Sequence, residues 1–129
     1  MGAEKLTEEQ LTEEQRKLLS EQRIWMVATA SRDGKPNAAA KGATRVIDDA
    51  TIAFGQISKD AITYKNIQDN PWVTIAVVDP SKRGASVRCC GKAEICSSGD
   101  LYDEIAAMLS SKGYPKPEAV IKVKISDIR

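Results

Sequence analysis

The sequence predicts a mainly β fold: an antiparallel closed or nearly closed barrel with helices on its outside. Three observations carry that prediction. Apolar, β-favouring segments recur along the chain, and links of hairpin length join most of them. The final segment, Ala119 to Ile128, alternates cleanly, with Ile121, Val123 and Ile125 set to face inward and Lys122, Lys124 and Ser126 outward. Three further stretches carry helical spacing, which gives the order helix, three strands, helix, two strands, helix, strand.

Residues 4–22 hold a near-repeat, Leu-Thr-Glu-Glu-Gln at 6–10 and again at 11–15. Each Thr precedes a Gln by three positions, so a capping box can start a helix after Thr7 or Thr12. Leu11, Leu18 and Leu19 form its apolar stripe, and the helix is expected to lie over one end of the core. The chain then divides into a helical segment at 1–22 and a barrel at 23–129, within a single domain.

Ile24 to Ala30 reads as a strand, followed by turn chemistry through Asp33-Gly34 to Pro36. Its return, Ala38 to Ile47, has almost no bulk in its first positions apart from Lys41. Small side chains and Gly42 admit either a flat ligand or a tightly packed neighbouring strand. Asp48-Asp49 turns the chain into Thr51 to Phe54.

From Phe54 to Pro71 the sequence reads as a strand end, a loop and a short helix beginning near Ser58 and Lys59 and stopped before Pro71. Lys59, Thr63, Asn66 and Asn70 share one narrow stripe flanked by Ile62 and Ile67, and this stripe is expected to face inward. A helix start carrying Ser and Lys suits a phosphate, whereas Thr63 and Asn66 serve equally well to hydrogen-bond a neighbouring loop.

Trp72 to Val78 is a nearly continuous β-branched strand. Ala85 to Cys96 is another, with a kink expected at Gly91, Val87 and Cys89 on one face, and Arg88, Cys90 and Lys92 on the other. Leu101, Ile105, Met108 and Leu109 define the third helix, which Gly113 ends.

Composition narrows the chemistry. In 129 residues, nineteen basic and eighteen acidic side chains leave a net charge of +1, which offers no electrostatic footprint for nucleic acid. No apolar run approaches the ~20 residues of a membrane helix and no signal peptide is evident, so a cytoplasmic address is the expectation. Histidine is absent, which removes histidine-based nucleophile pairs, ordinary zinc sites and histidine-ligated haem. Any catalysis would draw its reactive group from a bound cofactor, and neither a catalytic side chain nor a metal ligand is assigned. Of the three cysteines, Cys89 and Cys90 are neighbours on one strand. They point to opposite faces and do not suit a disulfide. Trp25 and Trp72 read as core or interface packing.

Several pieces occur in a telling order: an apolar strand, Asp33-Gly34-Lys35-Pro36-Asn37, Lys41-Gly42-x-x-Arg45 with Asp48-Asp49, Thr63-x-x-Asn66-Ile67-x-x-Asn70-Pro71, and Gly91-Lys92-Ala93-Glu94-Ile95. From about Ile24 to Ile128 this set resembles the pyridoxamine 5′-phosphate oxidase-like family of FMN-binding split barrels. The resemblance implies a six-stranded Greek-key split barrel, a homodimer, and one FMN in each of two clefts at the dimer interface.

Carried over by position, the resemblance implies that Ala39, Ala40, Lys41 and Gly42 line the flavin and that Phe54, Gly55 and Gln56 run past its ring. Ser58, Lys59, Ile62 and Thr63 fall at the phosphate, and Asn66 braces the helix. Where many members carry a lysine just before the hydroxyl residue, this chain has Ile62. Arg45, Lys41 or Lys59 would then neutralise the phosphate, Arg45 best by its planar fork, unless Arg45 is an ordinary barrel-surface residue. The implied function is a small FMN-dependent oxidoreductase or electron carrier. The alternatives are a non-enzymatic binding module for a flavin, a deazaflavin or another phosphate-bearing ligand, and a structural dimer with an empty cleft.

Overall fold

The computed structural model describes residues 9–129 and contains one seven-stranded antiparallel sheet, curled into a half-barrel, with three helices outside it. The strands are β1 (Trp25–Ala30), β2 (Pro36–Lys41), β3 (Thr44–Asp48), β4 (Thr51–Gln56), β5 (Trp72–Val78), β6 (Ser86–Cys96) and β7 (Ala119–Ile128). The helices are α1 (Glu13–Glu21), α2 (Ile62–Asp69) and α3 (Asp100–Ser111). The sheet order is β2-β1-β5-β6-β7-β4-β3.

The strand count corrects the expected six to seven. Ala38 to Ile47 is not one strand. Its first half pairs with β1 (Ala39 opposite Val27) and its second with β4 (Thr44 opposite Phe54). A continuous segment cannot ladder with two strands at opposite ends of the sheet order without a break, and the break falls at Gly42-Ala43. Because β2 and β3 end the order yet join through two residues, the sheet must curl until its ends meet.

Alternation sets what is buried. Trp25 and Val27 of β1, Ile52 and Phe54 of β4, Ile75 of β5, Cys89 of β6, and Ile121, Val123 and Ile125 of β7 fill the barrel and are fully buried. α1 starts at Thr12, whose capping box with Gln15 is complete. The alternative start at Thr7 lies outside the described residues. Leu11 and Leu19 join the core, and the Trp25 indole donates to the Leu19 carbonyl at 3.0 Å.

α2 begins one turn later than the sequence suggests. The Ser58 hydroxyl accepts the Asp60 N–H at 3.1 Å, which holds 58–60 in a turn, so Ser58 and Lys59 precede the helix. Thr63, Tyr64, Asn66 and Ile67 are buried against β1 and β2, but the rest of the expected stripe is not: Lys59 is exposed, Asn70 is half-buried, and the flanking Ile62 points to solvent at 58% exposure. α3 packs on the outer face of β4 and β7, with Ile105 and Leu109 over Ala53 and Val120.

Candidate functional site

Where the curled sheet's two ends meet, the chain leaves a cavity of about 530 Å³. Its floor is the partner-switch segment, Ala40 to Ala43. Arg23 and Ile24 approach from β1, Gly55 to Ser58 from β4, and Met108, Leu109, Lys112 and Tyr114 from the end of α3. Each approach follows from the strand pairing. Lys41 pairs with Trp25, which brings Arg23 and Ile24 past Gly42, and the Gly55 N–H donates to the Ala43 carbonyl at 2.8 Å.

The α3 end is held in place by its own turn and by β7. Tyr114 N–H donates to the Leu109 carbonyl at 2.9 Å, closing the helix C-terminus, and Gly113 takes φ 80°, a left-handed conformation that favours glycine. The Tyr102 hydroxyl donates to the Pro117 carbonyl, and Glu118 N–H donates to the Gln56 carbonyl at 3.0 Å. A Cβ on Gly55 would stand 3.1 Å from Ala43 Cβ and 3.3 Å from Ile105 Cγ2. Glycine at 55 is therefore what lets α3 settle this close to β4.

The polar lining is one-sided. Arg23, Lys41 and Lys112 supply three cationic side chains, and no Asp or Glu lines the cavity among the described residues. Lys41 is half-buried, and the loss of water around its ammonium pushes its pKa down. Gln56 is buried at 3% exposure. Its Nε2 donates to the Ser58 carbonyl at 2.8 Å, while its Oε1 has no hydrogen-bond partner among the described residues. A buried amide oxygen left unpaired costs about 1–3 kcal/mol, and a ligand N–H or O–H would remove that cost.

The predicted site residues divide. Ala40, Lys41, Gly42, Gly55, Gln56 and Ser58 come together around the cavity. Ala39 sits in mid-β2 opposite Val27, and Phe54 is fully buried in the barrel core. Arg45 is not in the cavity: its guanidinium pairs with Glu104 of α3 at 3.0 Å on the surface, the ordinary barrel-surface position. Lys59 lies 5.9 Å from the Tyr64 ring centroid. Thr63 is buried under α2, and Asn66 Nδ2 donates to Thr29 Oγ1 at 3.0 Å, which ties α2 to β1. The reading of this stripe as structural bracing thus describes Asn66.

Arg23, Ile24, Met108, Lys112 and Tyr114 were not foreseen. No local pattern marks them, because their convergence depends on β1 pairing with β2 and α3 lying over β4.

A curled antiparallel half-barrel with helices outside and a cationic cavity at its seam defines a split-barrel fold. The family profile described as pyridoxamine 5′-phosphate oxidase matches residues 11–129, and the chain belongs to that family. An uncharacterized protein of Methanocaldococcus jannaschii is 36% identical over 124 residues, covering 92% of this chain and 78% of the relative. HupZ of Group A Streptococcus superposes with a TM-score of 0.83 at 30% identity, covering 92% of this chain and 91% of that one. An FMN-binding protein from Syntrophomonas wolfei shares the fold at a TM-score of 0.71 and 21% identity, covering 100% of this chain and 87% of that one.

Proposed function

We propose that this chain binds a phosphate-bearing flavin, FMN first, in the seam cavity and serves as a small oxidoreductase or electron carrier, with a second copy of the chain completing the site. The observation that carries the reading is a cavity lined by cations without carboxylates, with Gln56 in its wall and the buried Gln56 Oε1 lacking a partner among the described residues. An unpaired acceptor calls for a ligand donor, such as the imide N–H of a flavin ring. The cations call for an anionic group on the same ligand, and the small residues Ala40 and Gly42 leave room for a flat ring to approach the backbone. Family membership and the FMN-binding structural neighbour support the same ligand.

The residues present fit FMN: Gln56 would hold the ring, Ala40 and Gly42 would leave it room, and Lys41 would balance negative charge on the ligand. The flavin, when bound, supplies the electron-accepting ring. The chain's part is to bind it, orient it, and exclude water through Ile24, Ile57 and Met108. The cavity lining contains no Asp, Glu or Cys among the described residues, which leaves Lys41, Lys112 and Tyr114 as the side chains there that could hold or move a proton.

Ile62, where many family members carry a lysine, favours the second reading, a non-enzymatic holder of FMN, of a deazaflavin or of another phosphate-bearing ligand. Purified protein is expected to be yellow, with flavin absorption that survives gel filtration. Colourless protein that also leaves the fluorescence of added FMN unquenched overturns the flavin reading. A bound flavin that no donor reduces points to the holder.

A further inference from the structure

We propose that the anionic end of the cavity's ligand is anchored by Arg23, Lys41 and Lys112, drawn from three separate segments, and not by the start of α2. This rests on the reading above that the ligand carries a phosphate, and it assigns that phosphate to Lys41, already a candidate from the sequence, together with Arg23 and Lys112, which the family resemblance did not indicate.

Of the competing positions, Ser58 lines the cavity but carries no charge, and the other four are already engaged or turned away. Arg45 is neutralised by Glu104, and Lys59 lies over the Tyr64 ring. Thr63 is 1% exposed beneath α2, while Ile62, at the first helical position, is an apolar side chain facing solvent. None of these four lines the cavity.

The three proposed anchors are in the opposite condition. All line the cavity, and none has a side-chain partner among the described residues. Lys41 is half-buried, and the loss of water around its ammonium disfavours its charge, while Arg23 and Lys112 are exposed at the same cavity. An anion with two or more charges offsets that cost at Lys41 and makes each of the three cations a charge-assisted hydrogen-bond donor. Lys112 also follows a helix C-terminus, where a cation is favoured for its own sake, so the test must separate binding from helix stability.

FMN and riboflavin differ only in the phosphate, and titrating each by fluorescence quenching isolates that group. In Arg23→Gln and in Lys112→Gln, FMN affinity is expected to fall about tenfold or more, the scale of one charge-assisted contact, while riboflavin affinity stays within about twofold. Equal FMN affinity in wild type and both variants overturns the assignment, and so does a loss seen only in Lys59→Ala or Thr63→Val. If riboflavin weakens as much as FMN, the side chains act on helix or cavity stability and the assignment also falls.

If wild-type protein binds neither flavin, the flavin reading has failed, and inorganic pyrophosphate then decides the anchor. A rise in melting temperature with pyrophosphate, present in wild type and lost in the Arg23→Gln/Lys112→Gln double variant, supports it. No rise in wild type overturns it.

Discussion

Gly91 shows how one position can dictate local geometry. A Cβ there would lie 2.1 Å from the Lys124 carbonyl oxygen, a backbone atom that cannot step aside. The β6–β7 register shifts between Cys90 and Gly91, and Ser126 occupies the extra position, its hydroxyl donating to the Cys90 carbonyl at 3.1 Å. The kink expected at Gly91 is thus a bulge that bends β7 around the barrel. Two residues earlier, Cys89 points into the core, and burial pushes its thiol pKa up to about 11, from a model value of 9.0. A folded-state pKa above the unfolded value stabilises the protein fully below about pH 9, and that contribution is lost as pH rises toward 11. At pH 8 only about one Cys89 thiol in a thousand is ionised, so thiol labelling of the native protein should leave Cys89 unmodified while half-exposed Cys90 and Cys96 react. Native-state modification of Cys89 at the rate of Cys90, read by mass spectrometry of peptides, would show that the barrel opens there.

Among the elements, α2 joins sequence pattern and tertiary role most directly. Its buried Asn66 donates to Thr29, itself 4% exposed, so each side chain satisfies the other away from water. Asn66→Leu should lower stability by about 1–3 kcal/mol by orphaning the Thr29 hydroxyl, and adding Thr29→Val should recover part of the loss. Urea unfolding of the two single variants and the double variant measures the coupling; additive losses would mean the hydrogen bond contributes nothing. The inward Thr63 and Asn66 of α2, the alternation of β7, the two faces of β6 and the capping box of α1 were all legible, because each is a local period that burial obeys. The exchange of partners at Gly42-Ala43 was not, since small residues fit one long strand as well as two short ones and only the sheet order decides. Ala40, Lys41, Gly42, Gly55, Gln56 and Ser58, which line the cavity, were among the residues the sequence singled out, whereas Arg23 and Lys112 were not. Their place at the cavity is set by pairings and packing tens of residues away.

Across the whole molecule, the outer face of β2-β1-β5 stands out as unfinished. Ala40, Met26 and Ala76 align across it in one row and Ala38, Ala28 and Thr74 in the next, all small or apolar. Met26 and Trp72 are 44% and 46% exposed, and Ala28, Ala38 and Ala40 are exposed beside them. A flat face of small residues flanked by large apolar ones buries area cheaply against a second sheet, and an exposed apolar patch of this kind marks an interaction surface in a water-exposed protein. The face runs from β1 directly into Ile24 at the cavity mouth, so a second copy seated on it would also cover the open side of the ligand site. Sedimentation of the wild-type chain at micromolar concentration is expected to give a dimer, and Met26→Glu, which sets a charge in the middle of the face, is expected to shift it toward monomer by tenfold or more in dissociation constant. Since the cavity would lose its cover in the same step, FMN binding should weaken in Met26→Glu as the protein is diluted and recover as it is concentrated. Wild-type protein that sediments as a monomer, or a Met26→Glu variant whose FMN affinity ignores protein concentration, would mean that one chain makes the site alone and that this face serves another contact.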